Sequence, residues 1–294
     1  MTTRPRILLT GANGQVGWEL CRTLACLGEV IALDAADMDL GDAGAIRRVV
    51  RERAPDIIVN SAAYTAVDKA ESEPGLAHAI NAVAPGVLAG EAQRLGAMLV
   101  HYSTDYVFDG SGDRPWREED KPGPLNVYGA SKLAGEEAVR SACERHLIFR
   151  TSWVYGGRGA NFLLTMRRLM RQRPELKIVA DQIGAPTWSR MLAEATAQVI
   201  AQQTRTAGGD GHQFPWGLYH MSNSGETSWH GFAEAIQALD PPDQPASLLP
   251  IPSSEYPTPA VRPLNSRLDN ERLAAVFGLR LPNWRHALAL CLAS

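Results

Sequence analysis

The chain reads as an α/β protein, a Rossmann-like doubly wound parallel sheet followed by a smaller C-terminal region. Three observations predict this. Short, continuously apolar runs alternate with helical stretches as far as about residue 150, the pattern of strands buried on both faces. A glycine-rich turn, Thr10-Gly11-Ala12-Asn13-Gly14-Gln15-Val16-Gly17, joins the first run to the first helix. The runs end near Thr10, Asp34, Asn60 and Ser103, and ligands of such sheets gather beyond the carboxyl ends of the strands.

The elements follow in order. Arg6–Thr10 is a short apolar strand, and an amphipathic helix is expected over 15–27. Glu29–Leu33 is a second strand, closed by Asp34, and Ala43–Arg53 a helix that ends at Pro55. Residues 56–60 form a third strand, 74–95 a helix stopped by Gly96, and 97–102 a fourth strand. A helix over 126–142 precedes a fifth strand over 146–150. Right-handed crossovers wind such units onto both faces of one sheet. The alternation then loosens. Helices are expected over 162–173, 191–203, 228–239, 269–277 and 284–292, with a mobile loop over 204–217 and a connector over 240–245. No internal repeat or low-complexity tract is present.

Composition excludes several classes. The 294 residues are 45% hydrophobic and 21% charged, as in soluble globular proteins. A net charge of -3 offers no basic field for nucleic acid. No apolar run reaches membrane-spanning length, and the N-terminus enters a strand without a signal-like apolar segment, so a cytoplasmic protein is expected. The four cysteines lack metal or redox spacing and read as reduced thiols. The seven histidines form no metal pattern, and His101 reads as a packed strand residue.

The glycine turn has a chemical meaning. Gly11 permits the tight turn, and Gly14 leaves the helix N-terminus open to a pyrophosphate, where free N–H groups favour anions. Gly17 allows the helix to pack closely on the sheet. Asp34 stands where a carboxylate accepts ribose hydroxyls. Asp39-Leu40 suits an adenine edge and face, although a plain helix cap explains Asp39 equally well.

Two stretches carry reaction chemistry, Ser103-Thr104-Asp105-Tyr106 and Tyr128-Gly129-Ala130-Ser131-Lys132. Tyr128 and Lys132, four apart on a helix, point the same way. A phenol beside an ammonium ionises more easily. Thr104, at a strand end, is placed to hold a carbonyl oxygen against that phenol. The set makes a proton-delivery device for a C=O being reduced. A free Tyr titrates near 10, so acid–base work at neutral pH calls for a downward shift of roughly 2–3 units.

With these features in place, the chain resembles the extended short-chain dehydrogenase/reductases and, within them, the dTDP-4-dehydrorhamnose reductase family. The blocks that carry the resemblance include Gly11 to Leu20, Asn60 to Glu71, His101 to Phe108, Pro124 to Gly129, Arg150 to Tyr155, Asp181 to Thr187 and Tyr256 to Leu268. The resemblance implies NADPH or NADH along the strand ends, with its pyrophosphate at Gly14, Gln15 and Val16. Ala62, Ala63, Tyr64, Thr65 and Tyr102 would line the path to the nicotinamide. Tyr128 would give a proton to the C4 oxygen of a nucleotide-linked 4-keto sugar, Lys132 would hold the nicotinamide ribose and lower the phenol's pKa, and Thr104 would bond the reacting oxygen. Asp105, Trp153, Asn265 and Ser266 match substrate-contacting positions. On physics alone a turn cap is a further reading for Asp105, and an ordinary interior aromatic fits Trp153 equally well. The implied organisation is a dinucleotide-binding domain over 1–152, with helix 189–203 packing on it, and a substrate-binding region over 153–188 and 218–294.

Departures from the family pattern matter. Some members hold Mg2+ between two copies through glutamates; here Glu19 matches one such position, but Arg190 stands at another and no acid follows Glu271. Neither Mg2+ nor that dimer is expected, which leaves a monomer or weak homodimer with a small-molecule partner. Asp34 followed by Ala35-Ala36-Asp37 offers no Arg for a 2′-phosphate, so NADH is expected to serve as well as NADPH. Two alternatives stay open. One is a nucleotide-sugar epimerase or dehydratase of the same superfamily, although Tyr106 stands where dehydratases carry an acid. The other is a non-enzymatic NADP-binding subunit resembling the β subunit of methionine adenosyltransferase.

Overall fold

The computed structural model describes residues 4–206 and 214–294. The first half runs β1 (Arg6–Thr10), α1 (Gln15–Thr23), β2 (Glu29–Leu33), α2 (Ala43–Arg53), β3 (Ile57–Asn60), α3 (Val67–Ala70), α4 (Pro74–His78), a π-helical stretch (Ala79–Val83), α5 (Ala84–Leu95), β4 (Met98–Thr104), α6 (Val127–Ala142) and β5 (His146–Thr151). The second runs β6 (Val154–Tyr155), α7 (Phe162–Met170), β7 (Glu175–Val179), β8 (Ile183–Gly184), β9 (Thr187–Trp188), α8 (Ser189–Thr206), β10 (Gly217–His220), β11 (Thr227–Ser228), α9 (Trp229–Leu239), β12 (Ser247–Ile251), α10 (Glu271–Phe277) and α11 (Trp284–Leu292).

A six-stranded parallel sheet, in the order β2-β1-β3-β4-β5-β10, forms the centre. The alternation of each strand splits its side chains between two cores. Ile7, Leu9, Val59 and Val100 pack with Leu20 of α1, Leu24 just beyond it, and Leu192 and Val199 of α8. Leu8, Ile58, Leu99 and Ile148 face Ile46 and Val50 of α2, Leu88 of α5 and Val139 of α6. α8 therefore covers one face of the sheet although it lies late in the chain. A third core joins Tyr155, Leu163, Phe232, Ile236, Trp284 and Leu288 beside the sheet. Around it, β7 pairs with β12 and β8 with β11.

The sheet differs from expectation at its edge. Residues 218–220 were assigned to the substrate-binding region, yet β10 pairs in parallel with β5, Leu218 opposite Ile148 and His220 opposite Arg150. Its four residues, next to a glycine-rich tract, are too few to signal a strand. The loop expected over 204–217 is helical through 206 and joins the sheet at 217, while 207–213 lie outside the described residues.

The helix expected over 74–95 is also broken. Pro85 has no N–H and its ring crowds the carbonyl four residues back, that of Asn81. The backbone widens into the π-helical stretch at this point. Asn81 then faces inward, its amide donating to Tyr64 O and Ser131 Oγ, while its carbonyl presses on Gly135 of α6, where a Cβ would lie 2.1 Å from it.

One buried ion pair fastens α6 to β5. Arg150 reaches Glu136 through two parallel bonds of 2.8 and 2.7 Å, and Ser103 donates to the same carboxylate. Both charged side chains are almost fully excluded from water. Replacing Arg150 by Met keeps the volume and strands Glu136. Urea unfolding should show a loss of about 3–5 kcal/mol; a loss below about 1 kcal/mol would mean that the pair does not fasten this helix.

Candidate active site

Strand order reverses between β1 and β3, which opens a crevice beyond their carboxyl ends. Gly11 sits there at φ 69°, and a Cβ on it would lie 2.9 Å from the Ala62 backbone. Gly17 packs so closely that a Cβ would stand 2.0 Å from Gly11 O. Gly14 caps α1 without a side chain, and no acid occupies the first turn. The free N–H groups at Gln15 and Val16 therefore face the crevice with the positive end of the helix dipole. Those features fit a pyrophosphate. The 156–161 loop closes on the same point, where Asn161 donates to Gln15 Oε1 at 2.9 Å.

The adenosine end is built differently from the sequence reading. Asp34 accepts from Asn13 Nδ2 at 3.0 Å and from the backbone of Ala36 and Asp37. It lines a cavity of about 500 Å³ with Ala12, Asn13, Trp18 and Arg22. Arg22 lies over the Trp18 ring at 3.7 Å. A cation therefore does stand near Asp34, brought by α1 rather than by residues 35–37. Asp39 is not the cap of α2; Asp42 is, while Asp39 ties its own turn to Gly41 N. Leu40 packs on the adjoining core.

Residues 61–65 leave β3 along the crevice. Ser61 donates to Thr10 O, and Tyr64 is held at both backbone groups by Asn81. Ala62 packs against Gly11 at the head of this segment, which continues through Ala63 and Thr65. Tyr102 needs a correction. Its ring lies in the core against Phe149, and its hydroxyl bonds Thr196 of α8 at 2.6 Å. What reaches the site is its carbonyl, which accepts from Lys132 Nζ at 2.6 Å.

Asn126 caps α6 by accepting from Gly129 N, which fixes where Tyr128 and Lys132 emerge. Gly129 is required because a Cβ there would lie 2.1 Å from Tyr106 O. Burial pushes the Tyr128 phenol up to about 12, against the downward pull of the nearby Thr104 hydroxyl. The expected depression is absent, because Lys132 spends its ammonium on Tyr102 O and not on the phenol. Lys132 is itself only 2% exposed, and burial lowers it to about 8 against the upward pull of Glu136. Its other neighbour is His101 Nε2 at 3.4 Å.

Asp105, next in the chain, is 2% exposed. It accepts from Thr104 at 3.1 Å, with the Ser266 hydroxyl near enough to lower its pKa, while Oδ2 has no partner among the described residues. Burial raises its pKa to about 6. Tyr106 packs edge-on to Tyr128 at 5.5 Å, its phenol pushed above the ordinary range by burial and by Asp105.

The C-terminal segment brings the remaining residues. Trp153 adopts φ 47°, unusual for a bulky side chain, and stacks on Trp229 at 3.6 Å and 11°. Ser266 is buried with its hydroxyl near Asp105. Asn265 is corrected: its amide donates to the carbonyls of Ser111, Gly112 and Arg114, and its oxygen accepts from Arg267. It fastens the segment and has nothing left for a sugar. Arg262 adds a latch that sequence reasoning missed, gripping Asp68 through bonds of 2.9 and 2.8 Å. Glu19 is bound to Arg190 at 3.1 Å.

Comparison with known proteins agrees with this architecture. Residues 5–294 match the family model described as RmlD substrate binding domain. The dTDP-4-dehydrorhamnose reductase of Burkholderia thailandensis is 52% identical, over 97% of each chain. That of Escherichia coli K12 is 49% identical over 95% of this chain and 94% of its own. The dTDP-4-dehydrorhamnose reductase of Bacillus anthracis, solved in complex with NADP, superposes with a TM-score of 0.90 at 37% identity and 99% coverage of both chains. A UDP-glucose 4-epimerase of Thermus thermophilus, 20% identical with a TM-score of 0.79 over 98% of each chain, shares the fold. The chain belongs to the dTDP-4-dehydrorhamnose reductase family.

Proposed function

We propose that this chain uses NADPH or NADH to reduce the C4 keto group of dTDP-4-dehydro-L-rhamnose, giving dTDP-L-rhamnose, in the cytoplasm. The observation that carries the reading is that the Thr104 hydroxyl stands near enough to the Tyr128 phenol to draw its pKa down, one helical turn from the buried Lys132. The dinucleotide supplies hydride. Gly11, Gly14, Gln15 and Val16 hold its pyrophosphate, Asp34 its ribose, and Lys132 orients the hydroxyls of the second ribose. The dinucleotide domain comprises the sheet with its helices, including α8 and β10, and the substrate region the remainder of the chain after residue 152.

Thr104 and Tyr128 bracket the keto oxygen. As negative charge develops there, Thr104 donates a hydrogen bond and Tyr128 releases its proton. A phenol near 12 keeps its proton throughout the neutral range and still gives it to the more basic alkoxide. The raised value thus suits reduction. It also weakens the dehydratase alternative, which needs a base where Tyr106 holds its proton still more tightly. Asp105, through its unpartnered oxygen, and Trp153 contact the sugar. Ser266 holds Asp105 in place.

The reading is tested by NADPH oxidation, which should require a dTDP-linked 4-keto sugar; oxidation with no dependence on it, or none at all, would contradict it. Tyr128→Phe should retain nucleotide affinity and lower kcat by on the order of 10²–10⁴. Near wild-type turnover would remove Tyr128 from the proton transfer. Thr104→Val should raise the barrier by roughly 2–4 kcal/mol, and a change in KM alone would make Thr104 a binding residue.

Asp105 has a stability signature. Its folded pKa, about 6, lies above the unfolded value, so the folded state holds the extra proton and stability falls as pH rises through that window. Asp105→Asn should therefore stabilise the protein at pH 8 by about 2–3 kcal/mol, with most of the gain gone by pH 4. Equal melting shifts at both pH values would refute the buried carboxylate as the cause. The same variant should lose affinity for the sugar nucleotide.

A further inference from the structure

Behind Lys132 runs a row of buried polar side chains that the mechanism above does not use. Thr10 on β1 bonds Asn60 on β3 at 2.7 Å. The Asn60 amide meets His101 Nδ1 on β4 at 3.0 Å. His101 Nε2 meets Lys132 Nζ on α6 at 3.4 Å. The imidazole is fully excluded from water, and both burial and the neighbouring ammonium keep it uncharged.

An ammonium has three donors and no acceptor, so a nitrogen facing it must offer a lone pair. A neutral imidazole offers one lone pair and one N–H. With Nε2 accepting from Lys132, Nδ1 carries the hydrogen and requires an acceptor. The Asn60 amide supplies one when its oxygen faces the ring; its NH2 then donates to Thr10 Oγ1. The two ends of an amide have the same shape, so this arrangement fits the same contacts. The opposite arrangement, with Asn60 Nδ2 donating to Nδ1, puts an N–H against the ammonium.

We propose that His101, oriented by Asn60 and Thr10, is the positioning residue for the Lys132 ammonium: its Nε2 is the second acceptor that holds the lysine charged and fixed at the sheet end. Tyr102 O is the first acceptor. Among the described residues, the other charged or titratable groups facing Lys132 are on its own helix. Glu136 is one turn along, its carboxylate taken by Arg150 and Ser103, and Tyr128 is one turn back, its phenol near the Thr104 hydroxyl. The functional consequence rests on the proposed ribose-holding role of Lys132; the acceptor role itself does not.

The chain has four lysines, Lys69, Lys121, Lys132 and Lys177, and the other three are exposed. NMR of protein labelled at the lysine ε carbons, without nucleotide, therefore reads Lys132 directly. In wild type its midpoint should fall well below the other three. His101→Leu should move it down by about one further unit, because the charged form loses an acceptor. His101→Gln, whose amide oxygen reaches the place of Nε2, should restore most of that shift. Unmoved midpoints, or equal shifts in the Leu and Gln variants, would overturn the proposal. Wild-type protein labelled with ¹⁵N histidine gives an independent check. While Lys132 is charged, His101 should be the neutral Nδ1–H tautomer; an Nε2–H form or an imidazolium there would equally overturn it. NADPH affinity at pH 8 should fall about fivefold in His101→Leu, as the charged fraction of Lys132 falls with a one-unit shift from about 8. A shifted midpoint with unchanged affinity upholds the acceptor role of His101 and contradicts ribose holding by Lys132 instead.

Discussion

Burying a lysine at the end of a parallel sheet sets the terms for the rest of this site. An ammonium taken from water is costly unless oxygen or nitrogen acceptors meet it. At 2% exposure Lys132 meets, among the described residues, a strand carbonyl and an imidazole, and burial still lowers its pKa. The carbonyl is available because β4 ends there. The imidazole is held because β1, β3 and β4 bring Thr10, Asn60 and His101 side by side. The register of those strands is therefore also the register of the chemistry. Tyr128 follows, since α6 is fixed by its Asn126 cap and by Glu136 on Arg150.

The substrate side is assembled on this frame by side chains that bind backbone. Asn265 holds three carbonyls of the 111–114 turn, Asn126 takes Val261 O, and Arg262 grips Asp68. These fastenings bring the Ser266 hydroxyl near Asp105. Asp105 itself is left with an unpartnered oxygen and a carboxylate that the protein would hold more easily if protonated. Such a group costs stability and gains a role only when a polar ligand meets it. Trp153, with its positive φ, stores a second local strain at the same mouth.

The sequence disclosed the parts with strong local grammar. Glycine spacing and apolar runs made the fold legible, and the Tyr128–Lys132 interval marked two residues of one helix as candidates. What it hid depends on tertiary contact. The resemblance implied Tyr102 as a site residue, yet strand alternation sends its ring to the core. Asn265 looked like a sugar ligand, and only the 111–114 turn shows its amide to be spent. Nothing local marks Arg22 as near Asp34, because α1 and the end of β2 meet only in space. The downward shift expected for Tyr128 assumed that an ammonium on the same helix face bonds the phenol, whereas Tyr102 O takes that bond. His101 read as packing because its partners lie 41 and 31 positions away.

The central claim is that the Thr104–Tyr128–Lys132 set delivers a proton to oxygen while hydride reaches carbon. Its most direct test follows the label in the product. With NADPH deuterated at the transferred position, in ordinary water, the account predicts one deuterium at C4 of the product sugar. With unlabelled NADPH in D2O it predicts none bound to that carbon, since Tyr128 protonates only the oxygen. Solvent deuterium at C4, or retention of the label in the oxidised dinucleotide, would contradict it.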